Sequence, residues 1–424
     1  MRILFLDSYF YPEIIAETHL EVDFMQGLLN EGHEIFVVCP IPTRGIPKET
    51  VEKFRHIKRE TLEGGIEVQR FWAPQEGRNP IIRALRYFWV NFRQLMIAKK
   101  YKDIDKVFCI STPPTQGMLS AMVAKKLSKK YKKKVDLIYN LQDIFPDSLV
   151  TTGLAKEDSF FWKIGSKIEK YTYENSDKII VISEGFKRNI LKKGVPEEKI
   201  EVVTNWIDTD AVKSVKRQEN RLFDEFKLDR DKFTVVYAGN FGAAQGADVV
   251  LKAAEKLKKD KSIQFVVLGV GSEFEDAKEI VKTKKLKNVY IDDILPQERV
   301  SEVYSLGDVA VITCKKGVGG SGLPSKTWSI MACNTPIIAA FDLNSELAEI
   351  IEKADAGVCV EPENVDALVN AILDAKSNGF SKGDNHIREF VEDYASKTTC
   401  VAKYLEVMNG KAPSEEKTAE TANV

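Results

Sequence analysis

Residues 317–336 read GVGGSGLPSKTWSIMACNTP and predict a glycine-rich loop, a helix from Thr327 to Ala332 and a short strand, Pro336–Ala340. A loop that opens a helix beside a strand directs backbone N–H groups, the helix N-terminus and the Lys326 side chain to one point. This arrangement suits a phosphate or diphosphate. The helix dipole disfavours a lysine at a helix start, and a bound anion would remove that conflict; alternatively, the side chain could turn toward solvent.

Working outward, apolar runs of strand length alternate with helical segments on both sides of this loop. The alternation predicts an α/β protein with two Rossmann-like, doubly wound parallel sheets. The first domain spans residues 1–205, and the pattern restarts in a second domain, 206–385, after a charged linker, Lys213–Lys232. In this architecture ligands bind outside the carboxyl ends of the strands, so we expect a central cleft that both domains face.

The C-terminal end of the chain has a different character. Residues 386–410 predict an amphipathic helix that returns to the first domain, and residues 411–424 lack large apolar side chains and predict a disordered tail.

Composition narrows the function. The chain has 424 residues, of which 44% are hydrophobic, and its net charge is −1, which argues against nucleic acid as a partner. It has no segment typical of a signal peptide or a bilayer span, so we expect a cytoplasmic protein. The six cysteines occur singly and predict buried, reduced thiols. With four histidines we expect no metal cofactor, and we interpret Asp208-Thr-Asp210 and Asp229-Arg-Asp231 as linker turns.

Three glycine-containing loops of the second domain follow predicted strands. They lie at 237–247, 268–272 and 317–326, and each could also be a turn that needs positive φ. None matches the G-x-x-x-x-G-K-[ST] pattern, which argues against P-loop hydrolysis, and the first lacks G-x-G-x-x-G, which argues against a dinucleotide oxidoreductase. Because the carboxyl ends of parallel strands share one edge, we expect the loops to converge.

Several short motifs, in order along residues 1–410, resemble family 4 glycosyltransferases, which have the GT-B fold. The motifs that carry the resemblance are Tyr11-Pro-Glu13, Val181-Ile-Ser-Glu184, Asn205-Trp-Ile-Asp208, Gly239–Gly246, Leu268-Gly-Val-Gly271 and Gly322–Lys326 followed by Met331–Pro336. Within the family, Gln142–Ser148 and Pro324-Ser-Lys326 are similar to fucosamine transferase-like enzymes of bacterial surface-polysaccharide synthesis.

This resemblance implies a retaining, metal-independent transfer of a sugar from a nucleotide diphosphate. The donor would be a UDP-sugar, with an N-acetylated amino sugar as one candidate, and the acceptor a lipid-linked polysaccharide precursor such as that of O-antigen or capsule. The resemblance assigns donor contacts to Gly239, Asn240, Gln245, Gly246, Gly269, Gly271, Ile294, Leu295, Gly322, Leu323, Pro324, Ser325, Lys326 and Ser329.

The sequence departs from the family at charged positions. Asn240 and Gln245 stand where the family commonly has an arginine and a lysine, and the E-x7-E pattern is missing, with Ser329 in place of the second glutamate. Gln142 stands where the family has a histidine. We therefore expect Gln142 and Asp143 to be the catalytic residues, with Asp147 a weaker candidate, although Asp143 could instead cap a turn.

A basic aromatic helix is predicted over Asn79–Lys102, which contains six basic residues and no acid. Its expected apolar face consists of Ile81, Leu85, Phe88, Phe92, Leu95 and Met96. Together with the lysine-rich segment Lys125–Lys134, it predicts contact with a membrane or a lipid-linked acceptor through Arg83, Arg86, Trp89 and Arg93. The alternative is an ordinary domain helix whose arginines cover the edge of the core.

Two other functions stay open at this point. One is a nucleotide-sugar 2-epimerase on the same fold, which the scarcity of histidines argues against. The other is a non-catalytic nucleotide-sugar-binding or scaffold protein, which the uncharged Asn240 and Gln245 favour. The sequence leaves the oligomeric state open.

Overall fold

The computed structural model describes residues 1–13, 18–75, 80–151, 156, 158–380 and 385–411. The chain divides into two compact units. Unit 1 comprises Met1–Thr204 and the chain from Cys400 onward, and unit 2 comprises Asn205–Thr399. Each unit is an α/β domain on a largely parallel sheet, which confirms the predicted fold class.

The sheet of unit 1 has the strand order β3-β4-β2-β1-β5-β6-β7-β8. Its strands are β1 (Arg2–Leu6), β2 (Glu34–Pro40), β3 (Arg59–Leu62), β4 (Ile66–Phe71), β5 (Lys106–Ile110), β6 (Asp136–Leu141), β7 (Lys178–Val181) and β8 (Ile200–Val202). All neighbours pair in parallel except β3 and β4, which are antiparallel. The sequence pattern does not predict β3 because this edge strand, Arg-Glu-Thr-Leu, is only partly buried and lacks an apolar run.

Helices cover both faces of this sheet. They are α1 (Thr18–Asn30), α2 (Lys48–Arg55), α3 (Pro80–Ala98), α4 (Gln116–Tyr131), α5 (Asp147–Thr151), α6 (Phe160–Asn175) and α7 (Glu184–Lys192). Successive residues of β1 point to opposite faces. Leu4 and Leu6 pack with the layer that contains α3 and α4, whereas the Phe5 ring lies 5.9 Å from the ring of Phe24 in α1.

The sheet of unit 2 is parallel throughout, in the order β11-β10-β9-β12-β13-β14. Its strands are β9 (Phe233–Asn240), β10 (Ile263–Val270), β11 (Val289–Asp293), β12 (Val309–Thr313), β13 (Ile337–Ala340) and β14 (Gly357–Val360). Its helices are α8 (Leu222–Glu225), α9 (Asp248–Lys256), α10 (Phe274–Thr283), α11 (Val300–Tyr304), α12 (Lys326–Ala332), α13 (Glu346–Lys353), α14 (Val365–Asn378) and α15 (His386–Tyr394). The central strands are near-continuous apolar runs because both faces are buried.

The charged stretch 213–232 is folded into unit 2 and is not an extended linker. Phe223 in α8 is fully buried, and the guanidinium groups of Arg217 and Arg230 lie 4.8 Å and 5.2 Å from its ring. Arg217 also donates to the carbonyl oxygens of Arg230 and Lys232. The arginines of this charged stretch therefore make their contacts inside unit 2.

The C-terminal segment 386–410 forms two helices, where the sequence pattern predicts one. In α15, Ile387 and Val391 are buried in the core of unit 2. After α15 the chain continues as α16 (Lys397–Met408), which belongs to unit 1 from Cys400 onward. There the Tyr404 ring packs 5.0 Å from the ring of Phe24. The predicted tail lies outside the described residues from 412 onward.

Gly27 of α1 permits the close packing of α16. A Cβ atom at Gly27 would lie 2.6 Å from Cγ1 of Val401, which no real side chain tolerates without a shift of its neighbour. No helix in the described part of the chain combines the length and apolarity needed to cross a bilayer.

Arg388 holds α15 on unit 2. Its guanidinium donates to the carbonyl oxygens of Thr209, Val212 and Ala332 at 2.6, 3.0 and 2.7 Å. We expect Arg388→Met to lower the unfolding free energy of unit 2 by about 2–4 kcal/mol, because these carbonyl groups lose their donor. Urea unfolding followed by tryptophan fluorescence measures the change, since Trp328 lies 5.5 Å from the Tyr394 ring of α15.

The control is Arg221→Met, because the Arg221 side chain is 74% exposed and pairs with Glu302 at the surface of the same unit. We expect this control to cost less than about 1 kcal/mol. Equal losses in the two variants would contradict the anchoring role of Arg388.

Candidate functional site

The three glycine-containing loops of unit 2 follow β9, β10 and β12. Because these strands are parallel neighbours, their carboxyl ends meet at one edge of the sheet. Residues 240–247, 270–273 and 314–325 all lie there. The structure thus brings the loops together as the sequence predicts, and the contacts between them are direct.

The Lys326 side chain links the start of α12 to the end of β9. Its Nζ donates to the carbonyl oxygen of Ala238 at 3.1 Å and lies 4.4 Å from the centre of the Tyr237 ring. A Cβ atom at Gly239 would lie 2.6 Å from this Nζ and would force the ammonium group to shift, and the φ of 154° at this position also favours glycine. The side chain therefore does not turn toward solvent.

Burial lowers the pKa of Lys326 to about 8. Within the described residues, Lys326 forms no ion pair that would restore its charge. The ammonium group is therefore costly to keep charged in the free protein, and a bound anion would relieve that cost.

The loop after β9 is joined to the loop after β10. The N–H of Phe241 donates to the carbonyl oxygen of Val270 at 2.6 Å, and the N–H of Glu273 donates to that of Phe241 at 2.9 Å. Gly271 has φ 128°, and a Cβ atom there would lie 2.3 Å from Oδ1 of Asn240. The Asn240 Nδ2 donates to Oε1 of Gln245 at 3.4 Å, so the two uncharged residues contact each other.

The glycine run after β12 is held by carboxylates. The N–H groups of Gly317 and Gly319 donate to Oδ1 and Oδ2 of Asp342 at 3.0 and 2.8 Å, and the N–H of Lys316 donates to Glu363 at 3.2 Å. The N–H of Lys315 donates to the carbonyl oxygen of Ala244 at 3.0 Å and so reaches the first loop. The glycine run is thus fixed within unit 2, which leaves the segment from Gly322 to Lys326 as the candidate anion contact.

The remaining predicted donor residues lie at the same edge. Ser329 is half-buried in α12, one turn after Lys326. The N–H of Ile294 donates to the carbonyl oxygen of Gly269 at 3.0 Å, and the Ile294 side chain is exposed. Leu295 packs against the core of the unit. Gly246 packs against the backbone of Cys314, and Leu323, Pro324 and Ser325 lead into α12.

In unit 1, Gln142 and Asp143 directly follow the carboxyl end of β6. Their N–H groups both donate to Oγ of Ser111, at 3.0 and 3.1 Å, which fixes the turn. The Gln142 side chain donates to Oδ1 of Asn140 at 3.2 Å. Ser148 Oγ donates to Oδ2 of Asp143 at 3.1 Å, so the Asp143 carboxylate contacts the start of α5.

The Asp143 residue is exposed as a whole, yet its carboxyl group has lost part of its solvation. This loss raises the pKa of Asp143, and the charge of Asp147 raises it further, while the Ser148 hydrogen bond opposes the shift. Asp147 itself has a structural role. Its two carboxylate oxygens accept hydrogen bonds from Asn189 in α7 and from Lys193 directly after α7, at 3.0 Å each. Asp143 is therefore the better candidate for proton transfer.

Glu13 fixes the neighbouring part of this edge. Its Oε1 accepts from the N–H groups of Thr43 and Arg44 at 2.7 and 2.8 Å, and its Oε2 accepts from that of Phe10 at 3.2 Å. Burial raises the pKa of Glu13, and these hydrogen bonds oppose the shift. The loops after β1 and β2 are therefore tied together.

The four predicted membrane or acceptor residues of α3 are not equivalent. Arg86 is only 1% exposed, donates to the carbonyl oxygen of Pro74 at 2.6 Å and lies 5.7 Å from the Tyr9 ring. This burial corrects the prediction that Arg86 contacts a membrane or a lipid-linked acceptor, because one turn of α3 faces the loop after β1.

Arg83 and Trp89 are exposed, whereas Arg93 is half-buried, with its guanidinium 5.9 Å from the rings of Phe71 and Trp89. Leu95 also differs from the prediction, since it packs against the core. The side chain of Ile81 lies outside the described residues.

The two Asp-x-Asp segments form turns. Oδ1 of Asp208 accepts from the N–H groups of Asp210 and Ala211 at 2.9 Å each, and Oδ1 of Asp229 accepts from that of Asp231 at 3.0 Å. Each first aspartate is therefore engaged with its own backbone, as expected for a turn.

Two family models match adjacent parts of the chain. The model described as Glycosyltransferase Family 4 matches residues 17–211, and the model described as Glycosyl transferases group 1 matches residues 218–393. Together they span both units.

Two bacterial proteins are similar in sequence. The WcaI protein of Escherichia coli K12, whose name assigns it to colanic acid biosynthesis as a glycosyl transferase, is 24% identical over 97% of this chain and 100% of its own length. The WbjE protein of Pseudomonas aeruginosa, named as a glycosyltransferase, is 26% identical over 55% of this chain and 58% of its own length.

Solved structures share the fold of the whole chain. Sucrose-phosphate synthase from Thermosynechococcus elongatus has a TM-score of 0.69 at 16% identity and covers 96% of this chain and 98% of its own. Anabaena HepE, solved in complex with UDP and glucose, has a TM-score of 0.67 at 15% identity and covers 97% of this chain and 100% of its own.

Asp342 should control the order of the glycine run. We expect Asp342→Ala to increase amide hydrogen exchange across residues 315–321 by about tenfold or more, because Gly317 and Gly319 lose acceptors worth about 1–3 kcal/mol. Exchange measured by mass spectrometry on peptides from this segment tests it. Glu352→Ala, an exposed change on α13, is the control, and the same exchange rates in all three proteins would contradict the role of Asp342.

Proposed function

Because the chain is a glycosyltransferase that belongs to family 4 and has the GT-B fold, we propose that it transfers a sugar from a nucleoside diphosphate, with UDP as the nucleotide, to a lipid-linked polysaccharide precursor. The transfer retains the anomeric configuration. Unit 2 binds the donor, and unit 1 supplies the residues that act on the acceptor.

The observation that carries the donor assignment is the Lys326 ammonium group. It is desolvated, lacks an ion-pair partner among the described residues and lies where three loops meet. A diphosphate supplies the missing negative charge, and the N–H groups of the segment Gly322–Ser325 supply further donors. The complex of HepE with UDP supports uridine as the base.

The uncharged Asn240 and Gln245 make Lys326 more important in this chain. Where the family commonly places two cations, this chain has two amides that contact each other. Amide groups can donate to phosphate oxygens but supply no net charge. The electrostatic attraction for the diphosphate therefore depends mainly on Lys326.

The chemistry follows from where charge develops. The bond between the anomeric carbon and the β-phosphate oxygen breaks, and its electron pair stays on the diphosphate. Lys326 and the nearby N–H groups stabilise this growing negative charge. The acceptor hydroxyl oxygen forms the new bond to the anomeric carbon and releases its proton.

Asp143 is the proposed proton acceptor. Its raised pKa places its proton affinity closer to neutral than that of an ordinary aspartate, which favours general-base catalysis. Gln142, beside it, is proposed to hydrogen-bond the acceptor sugar.

The acceptor class rests on two kinds of support. WcaI, similar over nearly the whole chain, is named for the synthesis of colanic acid. Arg83 and Trp89 are exposed on unit 1 beside further apolar side chains, which suits an acceptor with a lipid anchor presented at the inner face of the membrane.

A thermal-shift panel of UDP, GDP and ADP tests the donor site. We expect UDP to give the largest shift, since a ligand at a hundredfold excess over its Kd stabilises by about 2.7 kcal/mol. Lys326→Met should weaken UDP binding by about ten- to a hundredfold, because it removes a charge-assisted contact. Lys316→Met, at an exposed position of the same loop, should leave the Kd unchanged.

The pH dependence of the Kd for UDP gives a second test with the same variants. Below pH 8 Lys326 is already charged in the free protein, so UDP affinity is at its maximum. Above pH 8 binding must take up a proton, and the Kd should rise by up to about tenfold per pH unit. Lys326→Met should lack this rise. No shift with any nucleotide, or the same pH profile in both proteins, would remove the diphosphate from this site.

Asp143→Asn tests the proton acceptor. We expect kcat for UDP release with acceptor present to fall by about 10²–10⁴-fold, with the Kd for UDP unchanged. Asp147→Asn, the control, should lower the melting temperature because α5 loses its bond to Lys193, with a much smaller effect on kcat. Unchanged turnover in Asp143→Asn would exclude the role, and UDP binding without any turnover in the wild type would favour a non-catalytic binding protein.

A further inference from the structure

Helices α3, α4 and α6 form one layer on the sheet of unit 1, with α4 in the middle. Asn91 of α3 donates to Oγ1 of Thr115, directly before α4, at 2.8 Å. Gly117 of α4 packs so closely on α6 that a Cβ atom there would lie 2.3 Å from Thr172. The outer side of this layer is a single surface.

The outer side of α3 is apolar along most of its length. Ile82, Leu85, Trp89, Phe92 and Met96 follow one another at intervals of three or four residues, so they form one stripe. Phe88 lies beside the stripe and is 73% exposed. Trp72, directly after β4, packs edge-on against Trp89 with ring centres 6.0 Å apart and extends the aromatic area.

The start of α6 carries a second apolar patch. Phe160 and Phe161 are each 73% exposed, and Ile164 follows one turn later. Ser159 caps this helix by accepting from the N–H of Trp162. Gly165 packs directly on Phe145 and Pro146, so this patch lies beside the turn that carries Asp143.

Cations lie next to these apolar patches, and acids are scarce. The sequences of α3 and α4 contain no aspartate or glutamate, and the first acid within α6 is Glu169, which pairs with Lys193. Asp158, two residues before α6, is an exposed acid near the patch, and Glu157 precedes it in the sequence. The exposed cations of the three helices are Arg83, Lys125, Lys126, Lys129, Lys130, Lys163, Lys167 and Lys170.

The order along the helices is also regular. In α4, Met122 is exposed first and Lys125, Lys126 and Lys129 follow; in α6, Phe160 and Phe161 come first and the lysines follow. Because α4 and α6 both start at the carboxyl edge of the sheet, the apolar side chains lie toward that edge and the lysines behind them. From Phe160 to Lys167 the helix rises about 10 Å, so Lys167 lies about that far behind the aromatic pair along α6.

We propose that this surface, formed by the α3 stripe, the Phe160–Ile164 patch and the lysines behind them, binds the interface of an anionic membrane. We call it the docking surface. Its aromatic side chains enter the boundary between headgroups and acyl chains, and its lysines contact the anionic headgroups. A second copy of the chain would set lysine rows opposite each other, which disfavours self-association.

The proposal deepens the proposed function, because docking would bring the edge that carries Asp143 next to lipid-anchored acceptors. It does not depend on nucleotide binding. A failure of membrane binding and a failure of the donor site are therefore separate results.

Sedimentation of the full chain with phosphatidylcholine vesicles, with and without phosphatidylglycerol, tests the proposal at low and high salt. We expect binding to the anionic vesicles that weakens as salt rises. Phe160→Ser with Phe161→Ser should weaken binding by about tenfold or more, because two exposed rings no longer leave water. Lys126→Gln with Lys129→Gln should cost about fivefold per lysine on anionic vesicles only.

Ile280→Ser, an exposed apolar change on α10 of unit 2, is the matched control and should bind like the wild type. The melting temperature of each variant shows that the fold is kept. Absence of vesicle binding, or equal binding by wild type and both double variants, would overturn the proposal. A concentration-dependent dimer in sedimentation velocity that disappears in the phenylalanine variant would assign the docking surface to self-association instead.

Discussion

The missing side chain at residue 239 determines how the site of unit 2 is assembled. A Cβ atom there would lie 2.6 Å from the Lys326 Nζ, so glycine lets this side chain cross from α12 to the end of β9 without a shift of the ammonium group. The crossing joins the loop after β12 to the loop after β9, and the bonds of Phe241 with Val270 and Glu273 add the loop after β10. Each loop alone would be an ordinary turn. Together they form one connected edge, and the Lys326 ammonium group beside it has no ion-pair partner among the described residues.

Lys326 and Asp143 show the same physical effect with opposite sign. Loss of solvation lowers the pKa of the lysine and raises that of the aspartate, so both groups are closer to neutrality than their exposed counterparts. In the free protein, the charged form of each group is therefore destabilised. A ligand that brings negative charge to unit 2, or a hydroxyl proton to unit 1, changes the protonation balance at each place. The family resemblance locates the residues, and burial determines their chemistry.

The sequence predicts the fold well because strand and helix periods are local properties. It predicts that Lys326 and the glycine-containing loops lie at one edge of the sheet of unit 2, because parallel strands end at a common edge. It does not predict that the Lys326 ammonium group contacts the Tyr237 ring, or that Asp342 accepts hydrogen bonds from Gly317 and Gly319. Both contacts join segments that follow or belong to separate strands. Tyr237 lies near the carboxyl end of β9 and Asp342 lies just after β13, so their positions at strand ends were the available signal. Arg86 and Trp89 lie one turn apart, and only the packing of Tyr9 and Pro74 decides that the arginine is buried.

The discontinuity of unit 1 has a consequence for how the protein is made. Its sheet is complete in sequence by residue 204, yet the face of α1 that holds Phe24 and Gly27 is covered by Tyr404 and Val401. Translation of the intervening unit, roughly 200 residues at about 5–20 residues per second, takes about 10–40 s. During that interval the first domain is on the ribosome with an apolar groove open, while unit 2 can fold without waiting for later residues. The domain that starts first therefore finishes last.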